Sequence, residues 1–233
     1  MKNTKKTLSK MLSVMIALVM AVTLSCSVFS VDTYAASPKT QVNNSVKKLM
    51  KGVKQCNEKN VTACLPKGYK AGYTDVKTTV PGMYKYIKKA NNKMSYKITK
   101  TSVKKNTATV KVKITYADGT EYCQNIIRLL ARGVIDGSID TSAMDTTNLS
   151  NDDVVKMMKA YNPILGKASD MTSATKMRTQ TVTLKLKKSG KTWKLASKPS
   201  DAFTNIMAGD IVRAMKNISE DDMMRIIMEE MYK

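Results

Sequence analysis

Much of enzyme chemistry needs histidine, and none occurs among these 233 residues. Its absence removes the Ser-His-Asp triad, the Cys-His dyad and every His-ligated metal site. Three cysteines lie beyond residue 35: Cys56, Cys64 and Cys123. Cys56 and Cys64 flank a short Asn57–Asn60 stretch that reads as a helix end or turn. In an oxidising compartment they can pair and staple the first helix to the segment after it. Cys123 sits on an apolar helix face, where its ordinary role is that of a small buried hydrophobe. A thiolate nucleophile needs a base or cationic setting, and Cys-x7-Cys is no zinc knuckle. No catalytic residue, metal or cofactor is therefore expected.

The remaining candidates are lysines. The chain holds 40 Lys+Arg against 18 Asp+Glu, a formal charge of +22. Lys111 and Lys113 alternate with Val110, Val112 and Ile114, and Lys185 and Lys187 alternate with Val182, Leu184 and Leu186. On strands this period places the lysines opposite an apolar face. Three readings compete. A lysine field can simply solvate a sheet and protect its edges. It can adhere to an anionic cell-envelope polymer or to membrane headgroups. It can bind nucleic acid, but such surfaces mix in arginine and exposed aromatics, and only five of the 40 basic residues are arginine. Nucleic acid is the disfavoured reading.

The elements that must position these residues are set by periodicity. Val42, Val46, Leu49, Met50 and Val53 mark an amphipathic helix. A further short helix is expected after Pro81, through Met83, Tyr84 and Ile87. Loose alternation over 94–103 and clean alternation over 107–116 form a hairpin around Lys104-Lys105-Asn106. Helix returns over 120–134, and a polar linker runs from Gly137 to Ser150. A helix starting at Ser150 is expected to end at Pro163. A second hairpin turns at Ser189-Gly190 and returns through Trp193 and Leu195. One helix through Phe203, Met207, Ile211, Met215 and Ile218 comes next, then a last helix with Glu220, Asp221 and Asp222 in its first turn. On that last helix Met224, Met228 and Met231 share one side, read as a packing face against the domain or a second copy rather than a Cu(I) site. Hairpins separated by helices give an α+β class.

Residues 1–35 read as a secretory signal. Lys2, Lys5, Lys6 and Lys10 precede an uncharged apolar stretch over 11–29, and Ala35 offers the cleavage position. Lipidation at Cys26 is the alternative, though Thr23 stands where a lipobox prefers an aliphatic residue. Export would leave a net charge of +19 on a single domain over 36–233, whose acidic, Met-rich tail helix covers 219–231. The charge is uneven, +16 over 36–128 and +8 over 171–200.

The element order over about 40–215, closing on Gly190-Lys191-Thr192-Trp193-Lys194, resembles exported cystatin-like and nuclear-transport-factor-2-like domains of Gram-positive type. The resemblance implies a curved antiparallel sheet of about four strands cradling the N-terminal and inserted helices. It also brings a second reading, an enzyme or small-molecule pocket in the sheet. Tyr84, Tyr96, Tyr116 and Asp118 are of the residue types such pockets use.

Overall fold

The computed structural model describes residues 37–139, 156 and 159–233. The expected signal segment, Cys26 and the helix start at Ser150 lie outside them. Among the described residues no helix is long and apolar enough to cross a membrane.

The chain opens with α1 (Pro38–Gln55), whose N-terminus is capped by the Ser37 hydroxyl accepting from the Thr40 amide at 3.3 Å. Its apolar stripe is buried as the spacing requires, and Cys56 closes it in a left-handed conformation at φ 50°. Two short helices come next, α2 (Glu58–Thr62) and α3 (Tyr73–Thr79). Neither is predicted from the sequence, because five to seven residues give periodicity too little to act on. Asn57, read as part of a helix end or turn, instead caps α2 by accepting from the Asn60 amide at 2.9 Å. Helix α4 (Pro81–Asn92) starts on Pro81, where the missing amide costs nothing.

Strands β1 (Ser95–Lys104) and β2 (Thr107–Ala117) pair antiparallel. A register shift between Ile98 and Lys100 explains why alternation over 94–103 is loose. Helices α5 (Thr120–Ile135) and α6 (Asn162–Met171) then intervene before β3 (Met177–Ser189) and β4 (Thr192–Leu195). The sheet is open, uncurled and antiparallel in the order β1-β2-β3-β4. Its inner face carries Val110, Val112, Ile114, Val182, Leu184 and Leu186, all buried. Burying each such side chain is worth about 1.5–3 kcal/mol. Helix α1 packs on β1 and β4, and α4 on β2.

Lys156, Lys159 and Ala160 are helical and Tyr161 is a turn, so a helix stops just before Pro163 as expected, and Pro163 itself lies in the first turn of α6, where its fixed φ is favourable. One sequence expectation is corrected. The expected single helix from Phe203 to Ile218 is two, α7 (Asp201–Met207) and α8 (Ile211–Asn217). Between them Gly209 and Asp210 take φ 68° and 64°. The period carries through the break, so sequence spacing alone does not reveal it. The chain ends with α9 (Glu220–Met231), capped by Ser219, whose hydroxyl accepts from the Asp222 amide at 3.1 Å. Its inward side is Met223, Ile226, Ile227 and Glu230, not the Met224, Met228 and Met231 stripe, and Met231 is half exposed.

Helices α4 and α6 cross closely at Gly82 and Gly166. A Cβ on Gly82 would collide with the Gly166 nitrogen and sit 2.6 Å from the Asn162 carbonyl oxygen, whereas one on Gly166 would meet only the Gly82 Cα at 3.8 Å. The asymmetry yields a paired prediction for urea unfolding. Gly82→Ala should lose about 1–3 kcal/mol through overpacking. Gly166→Ala should gain up to about 1 kcal/mol, because alanine suits a helix interior better. Equal effects from the two would contradict the crossing geometry.

Candidate functional site

The strand register assembles the lysines. Lys111 and Lys113 on β2 and Lys185 and Lys187 on β3 all reach the outer face of the sheet, and all four are exposed. Lys97 and Lys100 on β1 and Lys194 on β4 join them. Threonines fill the positions between: Lys111 stands opposite Thr183, Lys113 opposite Thr181, Lys185 opposite Thr109 and Lys187 opposite Thr107. Along a strand, same-face neighbours are about 7 Å apart, and adjacent strands are about 4.8 Å apart. The result is a two-dimensional lattice of ammonium groups and hydroxyls.

Three like-charge pairs stand directly across the ladder: Lys97 with Lys113, Lys100 with Lys111, and Lys187 with Lys194. Such pairs destabilise a sheet. None of the four strands contains an acidic residue that could relieve them. A face built for solubility alone is better served by interspersed charge signs. All three pairs lie within the two hairpins, and they come into view only with the register, which includes the shift between Ile98 and Lys100.

The carboxylates are used elsewhere. Asp118, just past β2, and Asp210, in the α7–α8 turn, are both buried and share Arg213. The Arg213 Nη2 donates to Asp118 Oδ1 at 2.9 Å, and its Nε lies 2.9 Å from each Asp210 oxygen. Asn205 also donates to Asp210, at 2.6 Å, and the Gly119 amide donates at 3.2 Å. Burial pushes the Asp118 carboxyl up, but hydrogen bonds from Thr120 with the charges of Arg213 and Arg178 outweigh it and hold it below the usual range. Tyr116 lies at the same end of the sheet, its hydroxyl donating to Gln180 at 3.3 Å. Tyr84 stands apart, near Cys56 and Glu58, and Tyr96 sits on β1. Tyr96, opposite Ile114, thus shares a sheet end with Tyr116 and Asp118 while Tyr84 does not, and the inner sheet face beside them is packed.

The cysteines are free thiols with separate partners, which corrects the expected Cys56–Cys64 bridge. Cys56 accepts from Asn91 Nδ2 at 3.5 Å, while Cys64 donates to the Ser45 carbonyl at 3.6 Å. Burial pushes both thiols up to about 11 and lifts Cys123 further, which keeps them protonated at neutral pH. Among the described residues no group of three or more Cys, Asp or Glu side chains is arranged to hold a metal ion. Compared with family models, curated proteins and solved structures, the chain matches none.

Two predictions arise from the buried ions. Arg213→Met leaves buried Asp210 without a cation and Asp118 with Arg178 alone, at 3.6 Å, and should cost about 3–5 kcal/mol in urea unfolding. A loss under about 1 kcal/mol would show that the network is dispensable. The second concerns pH. Asp118 and Glu230 both titrate below their ordinary 3.8 and 4.5 in the folded chain. A depressed carboxylate contributes stability that is complete above its unfolded pKa and is lost as pH falls through the folded one. Stability should therefore be flat above about pH 5.5 and fall on acidification, with a shallower fall in Asp118→Asn. Identical acid slopes in both proteins would show that Asp118 has no part in the effect.

Proposed function

We propose that this chain is an exported, non-catalytic binding domain whose cationic sheet face adheres to an anionic cell-envelope polymer. The observation that carries this reading is the lattice itself, with lysine opposed to lysine across three ladder positions and no carboxylate on any strand. The stability given up there is recovered when a polyanion lies along the face. Threonine hydroxyls between the ammonium groups suit a hydrated polymer that carries hydroxyls as well as charge. Among the described residues the outer face presents no aromatic ring on which a base could stack, which disfavours nucleic acid. The antiparallel sheet with helices on its inner side supports reading the fold as a cystatin-like or nuclear-transport-factor-2-like arrangement, although the sheet is uncurled where the resemblance implies a curved one.

The test is retention on an immobilised polyol-phosphate polymer across a salt series. Binding should weaken steeply as the screening length falls from about 10 Å at 0.1 M salt to about 3 Å at 1 M. Changing Lys111, Lys113, Lys185 and Lys187 to Glu should abolish retention. The same charge change on α1 and α2, at Lys47, Lys51, Lys54 and Lys59, should leave most of it. Equal loss from both variants would reduce the effect to net charge and remove the sheet face as a site.

A further inference from the structure

A second feature lies away from the sheet face. Helices α3 and α4 and helices α7 and α8 leave between them a cleft of about 330 Å³, within the range of small-molecule sites. Its walls are apolar: Leu65, Val76, Met83, Ile87 and Met207. Two of the polar side chains that reach it are held by the protein. The Tyr73 hydroxyl donates to the Met207 carbonyl at 3.3 Å, and the Asn205 side chain is held by Asp210 and the Arg213 amide. The interior therefore presents mainly hydrocarbon. Charged residues line it as well. Lys70, Lys198 and Lys216 come from three separate segments and form no ion pair among the described residues. One carboxylate, Asp201, accompanies them.

We propose that this cleft binds a small amphipathic anion, an apolar chain or ring system carrying one carboxylate or phosphate. The volume holds about eleven groups of ~30 Å³ each. The hydrocarbon enters between α4 and α7, and the anionic head stays among the three lysines. A neutral apolar molecule of the same size fills the walls but leaves the lysines unanswered. A short polyanion answers the lysines but leaves the walls wet. Only a ligand with both parts meets both surfaces.

Calorimetric titration of the whole chain with decanoate, decyl phosphate and decanol tests this. Decanoate and decyl phosphate should both bind, with decanol at least tenfold weaker, and a preference between the two anions identifies a free acid or a phosphate ester as the natural head. Shortening decanoate to octanoate should weaken binding roughly fifteenfold, since each of the two methylenes contributes about fourfold. The Lys70→Glu, Lys198→Glu, Lys216→Glu variant should lose at least tenfold for both anions without changing the melting temperature of the free protein. Val212→Trp, which fills the cleft from α8, should block binding. The sheet variant at Lys111, Lys113, Lys185 and Lys187 should bind decanoate normally, which separates this site from the polymer face. Equal affinity for decanol and decanoate, or decanoate binding unaffected by Val212→Trp, overturns the proposal.

Discussion

The guanidinium of Arg213 is the contact on which the arrangement of the C-terminal half depends. It neutralises Asp210 three residues before it and Asp118 ninety-five residues before it. Both carboxylates are buried, and a buried charge without a partner is among the most costly defects a fold can carry. The pairing therefore fixes the α7–α8 turn against the end of β2. The turn in turn demands two left-handed residues in succession. Gly209 takes the first without strain. Asp210 accepts the second because its side chain is held by Arg213, Asn205 and the Gly119 amide. With the turn in place, the Gly209 carbonyl accepts from the Tyr86 hydroxyl at 3.0 Å, and the Tyr86 ring stacks on Tyr122 at 3.9 Å between centroids. One ion triad thus ties α4, α5 and the sheet to the helices that wall the cleft.

The same division of labour explains the charge pattern. All five arginines take part in ion pairs: Arg128, Arg132, Arg178, Arg213 and Arg225 each reach a carboxylate. Glu230, buried at the inner side of α9, is held by Arg132 and Lys233. Other acids act as caps. Glu58 accepts from the Ala71 amide at 2.8 Å and the Gly72 amide at 3.1 Å, ordering the entry to α3. Glu121 accepts from the Ser173 amide and hydroxyl, ordering the entry to β3. Arginine suits such work because its planar fork meets a carboxylate at two points. Lysine, a mobile and strongly hydrated point charge, is kept for the surface. The buried acids Asp118, Asp210 and Glu230 are thus taken up inside the fold, and among the described residues the sheet lysines form no ion pair.

Legibility from sequence tracks the length and regularity of each pattern. Helices α1 and α5 and strands β2 and β3 show long, clean periods, and their apolar stripes are buried, though α5 also buries Asn125 and Leu129 beside its stripe and leaves Val134 half-buried. Helices α2 and α3 are too short to register. The α7–α8 break is hidden because Phe203, Met207, Ile211 and Met215 stay buried on both sides of it. Pro163 has two roles, following a helix that stops at Ala160 and opening α6, and the sequence shows the first more readily than the second. The face of α9 is ambiguous because methionine is frequent on both sides of that helix. Of the candidate site, the lysine positions are readable from alternation. Their opposition across the ladder requires the register, a property of two segments at once. The cleft is not readable at all, since Leu65, Met83 and Met207 resemble any core residues until the helices leave a gap between them.

The lysine face bears on stability as well as on binding. The uncompensated pairs across the sheet are tolerable because the centre of the opposite face, on β2 and β3, is apolar and buried. Val110, Val112 and Ile114 are each wholly inaccessible to solvent. An antiparallel sheet with one wet face separates the two requirements cleanly, since alternate residues answer to different environments. Core packing can then set the register, and the outer positions are free to take whatever side chains the partner needs. A lysine on the inner face would instead carry the full desolvation penalty of a buried charge. The sheet places its repulsion in the one layer where solvent screening makes it small and where an anionic partner can relieve it.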